Sequence, residues 1–154
     1  MSQDELVDVV DDNGNFITVV TKRVAHEKGL LHKTVISEIF NSKGEWLLVK
    51  QSSTRQDAGQ FVSPIGGHVT SGETNEEALM REAHEEVGLN ADFEYKLVGR
   101  KIYNRHVIGR HENHLFIMYQ IYSDKKPVLN EESDSYKYFT KEELRRELKN
   151  NPQI

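Results

Sequence analysis

Glu82, Glu85 and Glu86 are the residues whose spacing most needs a chemical explanation. A helix turns about 100° per residue, so positions i, i+3 and i+4 share one stripe. Three carboxylates on one stripe repel unless a cation sits among them. Hard divalent cations take oxygen ligands, and Mg²⁺ typically bridges carboxylates to substrate phosphates. Taken alone, the three would also fit a solvated acidic face. Their surroundings favour the cation: Gly66-Gly67 lets the backbone run close to a ligand, and the Gly67 carbonyl could join the coordination sphere. Arg81 is placed to pair with Glu73 and fix the loop before the helix.

The helix that must carry these groups is read over Thr74–Val87. Thr74 with Glu77 forms a capping box, and Gly88 marks the stop. Leu79, Met80, Ala83 and Val87 form its core face. Glu77, Arg81 and His84 fall on the far side, where Glu77 and Arg81 are i,i+4 partners and His84 is solvated. Glu76 suits the positive end of the helix dipole.

Upstream, Leu6–Val10 and Phe16–Thr21 flank an Asn-Gly turn, and His32–Phe40 and Trp46–Lys50 flank Asn-Ser-Lys-Gly, giving two hairpins. Ser52 to Gln60 reads as a polar loop, and Phe61–Val69 as a short or bent strand. Downstream, residues 92–108, 113–122 and Tyr136–Phe139 are strand-like. Thr140–Lys149 is a second helix, with Thr140 and Glu143 as another capping box. Many strands with only two helical patterns indicate an α+β chain.

The 154 residues suit one domain over 1–154, with 36% hydrophobic residues for a core. There is no cysteine, which excludes disulfides, thiolate metal sites and cysteine nucleophiles. The net charge of −5 argues against nucleic acid or an anionic membrane as partner. No apolar run approaches the ~18 residues of a membrane span. The acidic N-terminus lacks signal-peptide features, so the cytoplasm is the expected location.

The stretch from Gly67 to Leu89 resembles the Nudix box, G-x5-E-x7-R-E-U-x-E-E-x-G-U with U apolar. Its positions are filled by Gly67, Glu73, Arg81, Glu82, Ala83, Glu85, Glu86, Gly88 and Leu89. The resemblance implies a Nudix-like α/β/α sandwich with a mixed β-sheet and an N-terminal β-hairpin. It implies hydrolysis of a small-molecule diphosphate, often a nucleoside derivative, with Mg²⁺ or Mn²⁺ as cofactor. The metal ligands would be Gly67, Glu82, Glu85 and Glu86, with Glu73 and Arg81 in support. Members draw the general base from different places. Glu82 and Glu85 are candidates here, and Glu131, Glu132, Asp134 and Glu112 are carboxylates outside the box, of which Glu132 is preferred. The family also allows a homodimer.

A second resemblance lies in AHEKGLLHKTVISEIFNSKGEWLLVKQSS, which looks like the subgroup containing isopentenyl-diphosphate isomerase. Those isomerases use the histidine of a Cys-Gly-His triplet as a metal ligand. His26, His32 and His68 therefore match a histidine-rich site, with His32 and His68 as possible additional metal or substrate ligands. The isomerases' cysteine, which transfers a proton to carbon, is replaced here by Gly66. The intact box without that thiol favours hydrolysis over the two alternatives, an isomerase-like enzyme and a non-catalytic binding domain. The basic residues Arg100, Lys101, Arg105 and Arg110 could receive phosphates but read first as a strand's solvent face, and Phe61, Tyr103 and Tyr119 could stack on a base but read first as packing aromatics. Nothing selects among nucleotide, sugar-nucleotide and isoprenoid diphosphates.

Overall fold

The computed structural model describes residues 4–53, 59–107 and 110–150, without the side chains of Val107 and Arg110. Most of the polar loop expected at 52–60, and the Arg110 side chain, therefore lie outside the described residues. Nine strands and three helices are found among those described, in two compact units between which β3, β6, α2, β7 and β8 are divided.

The first unit draws on residues up to Ile36, Gly66–Leu79 and Leu97–Met118. In it β1 (Leu6–Val10) and β2 (Phe16–Thr21) form an antiparallel hairpin, and β1 also pairs with β3 at Val9 and His32. Asp11 shapes the hairpin turn: its Oδ1 accepts from the amides of Asn13 and Asn15, both at 2.9 Å. These hydrogen bonds lower the Asp11 pKa.

Helix α1 (Lys22–Lys28) follows directly and is absent from the sequence-based expectation. Seven residues are too few for a clear apolar period, so its ends define it. Thr21 Oγ1 accepts from the Val24 amide at 3.2 Å, and Gly29 ends the helix in a left-handed conformation. Its last turn carries His26.

β3 (His32–Phe40) follows. β6 (Ile65–His68) pairs with β3, and β8 (Arg110–Tyr122) pairs with β3 and with β7 (Glu94–Val107). Leu115 and Ile117 on β8, with Val7, Val9 and Val35, are part of the buried apolar set of this unit.

The second unit comprises Ser37–Ile65, Met80–Lys96 and the chain from Tyr119 onward. Here β4 (Trp46–Gln51) pairs antiparallel with β3, with β5 (Phe61–Val62) and, over most of its length, with β9 (Ser133–Phe139). The strand expected at Tyr136 thus begins three residues earlier, and Asp134 belongs to it rather than to a loop. Leu48, Phe139 and Leu144 form a core cluster, with Trp46 and Phe61 packed against it. Leu144 comes from α3 (Lys141–Asn150), whose Thr140–Glu143 capping box is formed through reciprocal 3.1 Å hydrogen bonds.

Helix α2 (Asn75–Val87) carries the box carboxylates. Thr74 and Glu77 cap it reciprocally at 2.9 and 3.1 Å. Its C-terminus closes in a Schellman arrangement: the amide of Gly88 reaches His84 O at 3.1 Å and that of Leu89 reaches Ala83 O at 3.2 Å. Gly88 has φ 71°, and an added Cβ would lie 2.8 Å from Val128 Cβ. Gly88→Ala is therefore expected to destabilise the chain by roughly 1–3 kcal/mol. Urea denaturation measures this, and an unchanged midpoint would contradict the assignment of strain to this cap.

Candidate active site and histidine centre

The helix stripe divides its carboxylates by depth. Glu82 is buried, only 2% exposed, Glu86 is half-buried and Glu85 is exposed. Arg81 Nη1 donates to Glu82 Oε1 at 2.6 Å and to Glu85 Oε2 at 3.4 Å. Glu132, half-buried, belongs to the same group electrostatically, since its charge and that of Glu85 both act on Glu82. Burial is the largest influence on Glu82 and is partly offset by Arg81. The net effect raises its pKa from 4.5 to about 7. A cation would reverse that penalty by favouring the ionised form, and the donors are oxygens suited to Mg²⁺ or Mn²⁺.

Glu132 is held in place by its loop. Its amide donates to Asn130 Oδ1 at 3.0 Å, while Asn130 Nδ2 donates to the Glu85 carbonyl at 3.0 Å. The Ser52 amide donates to the Glu132 carbonyl at 3.0 Å. Glu131 and Asp134 are exposed. Arg105 Nε donates to Glu112 Oε2 at 2.9 Å, and the Glu112 charge also acts on His32. Arg100 donates to the Asn13 carbonyl at 3.1 Å. Tyr119 is buried and Phe61 packs on Phe139, in line with the packing reading, whereas Tyr103 is 41% exposed and does not belong to the core.

Two supporting residues lie in the first unit. Glu73 Oε1 accepts from the Thr70 amide at 2.9 Å and so braces the loop before α2. Gly67 sits on β6, half-buried. Neighbouring Gly66 is exposed, and a Cβ added there would meet nothing within 4 Å. Gly66→Cys should therefore fold with a stability within about 0.5 kcal/mol of the parent. Its single thiol should react readily with a disulfide reagent, and slow labelling or a large fall in Tm would contradict the open space seen here.

The first unit also assembles four histidines. His26 from α1, His32 from the start of β3, His68 from the end of β6 and His114 from β8 bring their ligand atoms within 4.8 Å of one another. His26, His32 and His114 are buried. His32 Nδ1 lies 2.8 Å from the Leu30 carbonyl, which can only accept, so Nδ1 carries the proton. His32 Nε2 is buried and has no hydrogen-bond partner. His114 Nδ1 lies 2.7 Å from Thr34 Oγ1. Burial is the main cause lowering the pKa of His32 and, more strongly, of His68, and buried Lys22 lowers both further. Neutral imidazoles of this kind are competent ligands.

Sequence reasoning singled out His26, His32 and His68 but not His114. On β8 the buried apolar residues Leu115, Ile117, Tyr119 and Ile121 alternate, and His114 lies out of phase with them. Only the fold shows that this other phase is also buried at His114. His84 is exposed, as expected.

A family model described as the NUDIX domain matches residues 30–154. The chain belongs to the Nudix family. This Nudix chain is also similar to known proteins. It is 32% identical over 157 aligned residues to isopentenyl-diphosphate Delta-isomerase 2 of Photorhabdus laumondii, covering 98% of this chain and 86% of that relative. It is 31% identical over 91 residues to an uncharacterized Nudix hydrolase, SCO1686, of Streptomyces coelicolor, covering 56% and 49% of the two chains. The solved structure of DR0079 from Deinococcus radiodurans superposes with a TM-score of 0.76 at 21% identity, covering 96% of this chain and 90% of that one. That likeness bears out the expected α+β Nudix fold. No helix among the described residues is long and apolar enough to cross a membrane.

Proposed function

We propose that this Nudix protein hydrolyses a small-molecule diphosphate linkage by attack of water on phosphorus, using Mg²⁺ or Mn²⁺. The observation that carries the reading is Glu82, buried on the intact box helix under the charges of Glu85 and Glu132, with its pKa raised to about 7 by a burial that Arg81 only partly offsets. Glu82, Glu85 and Glu86 are the helix residues assigned to hold the cation. When bound there, it supplies charge neutralisation of the diphosphate and a site for water.

The remaining steps belong to the chain. Arg81 fixes the Glu82 and Glu85 carboxylates through its two contacts. Glu132, anchored through Asn130 and Ser52, is the proposed acceptor of the water proton. The water oxygen forms a new P–O bond while the bridging P–O bond breaks, and the leaving oxygen departs with the bond's electrons.

A release assay for phosphate or pyrophosphate tests this, using Mg²⁺ and Mn²⁺ over nucleotide, sugar-nucleotide and isoprenoid diphosphates. Metal-dependent release from at least one class is expected. Silence across all three would favour a binding domain.

A second reading, isomerisation of an isoprenoid diphosphate, is favoured by the assembled histidines and by the isomerase relative. The chain contains no cysteine to act as the proton donor that the isomerases use. Formation of an isomeric diphosphate without phosphate release, in the same assay, would select it.

A further inference from the structure

We propose that β7 is the self-association edge of this chain: two copies join β7 to β7, antiparallel about a two-fold axis at Arg100, into one continuous sheet. The inference concerns residues 97–103, all in the first unit, and is independent of the reaction at the carboxylates.

An uncovered strand is the first support. Among the described residues β7 pairs with β8 and with no other strand. Its second edge therefore presents a row of backbone N–H and C=O groups. From 97 to 103 every residue is exposed except half-buried Gly99, so neither face of this segment is covered. Leu97 and Val98, 57% and 52% exposed, point to opposite faces, and the exposed Ile102 and Tyr103 do the same. Strand edges are usually protected by brevity or by proline. β7 has 14 residues and no proline.

The spacing of these side chains selects the partner. Position 100 is the midpoint of 97 and 103, and also of 98 and 102. Antiparallel pairing with Arg100 at the axis sets Leu97 opposite Tyr103 and Val98 opposite Ile102. The axis stands perpendicular to the sheet, so the two members of each pair share a face. Each of these four exposed hydrophobics thus meets another, and such cross-strand pairs are the unit of sheet stabilisation. The same register sets Lys101 opposite Gly99, whose missing side chain leaves room for the lysine stem.

Charge is the second, independent support. Arginines brought together at a two-fold axis repel unless they are engaged elsewhere. Arg100 is engaged: its Nη2 donates to the Asn13 carbonyl at 3.1 Å, and its guanidinium lies over Gly14 in the β1–β2 turn. Arg105, nearer the end of the strand, donates to Glu112. Pairing over residues 97–103 covers roughly 24 Å of edge. With apolar side chains on both faces it buries on the order of 1,000 Å² in total, the lower bound for a specific interface. Two-fold pairing uses the β7 edge of both copies and closes this contact at two.

Sedimentation equilibrium of the full chain, with cross-linking by mild oxidation, tests the proposal. The parent is expected to be a dimer at micromolar concentration. Val98→Lys combined with Ile102→Lys sets lysine opposite lysine and should weaken dimerisation by at least about 10²-fold, with unchanged far-ultraviolet circular dichroism. The chain contains no cysteine, so an introduced thiol reports only its own neighbour. Residues directly opposite have Cα atoms ~4.5–5.5 Å apart, a distance that a disulfide spans. Arg100→Cys should therefore form a covalent dimer by itself. Val98→Cys and Ile102→Cys should each fail to cross-link alone and should cross-link when mixed. Phe16→Cys, on the exposed strand β2, should not cross-link. If the double lysine variant does not fold, the cysteine variants alone carry the comparison. A monomeric parent leaves the edge to a different partner and overturns the proposal. A dimer that survives the folded lysine variant, or one in which Arg100→Cys and the mixed pair both fail to cross-link, overturns it too.

Discussion

Glu86→Gln is expected to lower diphosphate turnover by at least about 10³-fold while leaving the fold intact. The substitution keeps the size of the side chain and removes one negative charge from the proposed cation site. Losing several kcal/mol of charge stabilisation at the reacting phosphates gives this factor, because each 1.36 kcal/mol is tenfold in rate. Glu86 is half-buried at its position on α2, so an amide there leaves no cavity. The check is kcat at saturating Mg²⁺ together with thermal unfolding. Full activity would remove Glu86 from the cation site.

The second large effect concerns stability, and its direction is opposite to that on activity. Glu82 in the folded, chelated protein has its pKa raised from 4.5 to about 7. A raised carboxyl pKa means that the stability contributed by this group is fully present below about pH 4.5 and is lost as the pH rises through about 7. The shift corresponds to roughly 3 kcal/mol. Glu82→Gln cannot ionise, so in chelator it should be more stable than the parent at pH 8 by roughly 2–3 kcal/mol, with the gap closing towards pH 4.5. Mg²⁺ should then stabilise the parent and not the variant, since a ligand that binds only the folded state adds to its stability. Urea denaturation at both pH values measures this, and an equal gap at the two would place the penalty on another group. The variant should at the same time be inactive, which marks Glu82 as a group kept for function at the expense of the metal-free fold.

The legible parts of this chain were those with local signals. The β1–β2 hairpin followed from apolar runs around Asn-Gly. The span of α2 followed from its capping box and Gly88, and both are formed as hydrogen bonds in the structure. Helix α1 escaped because a one-to-two-turn helix shows no period, although Thr21 and Gly29 mark its ends. The helical wheel placed Glu82 and Glu85 on one stripe but could not tell that the first is buried and the second exposed. That difference depends on what packs against the helix rather than on the helix itself. The Arg81 contacts to Glu82 and Glu85 and the approach of the loop at Glu132 are likewise tertiary facts. His114 is the clearest case, since its partners lie some 46 to 88 residues earlier in the chain and nothing local to β8 points to them. A buried carboxyl at Glu38, hydrogen-bonded by the Ser63 hydroxyl and pushed up in pKa by its burial, was also silent in the sequence.

Hydrolysis in H₂¹⁸O tests the central claim most directly. Wild-type protein with Mg²⁺ is incubated with the diphosphate panel, and the products are followed by ³¹P NMR and mass spectrometry. Attack of water on phosphorus predicts a phosphorus product carrying one ¹⁸O from solvent. An isomerised diphosphate with no solvent oxygen incorporated, or an alcohol that carries the label while the released phosphorus product does not, would contradict it.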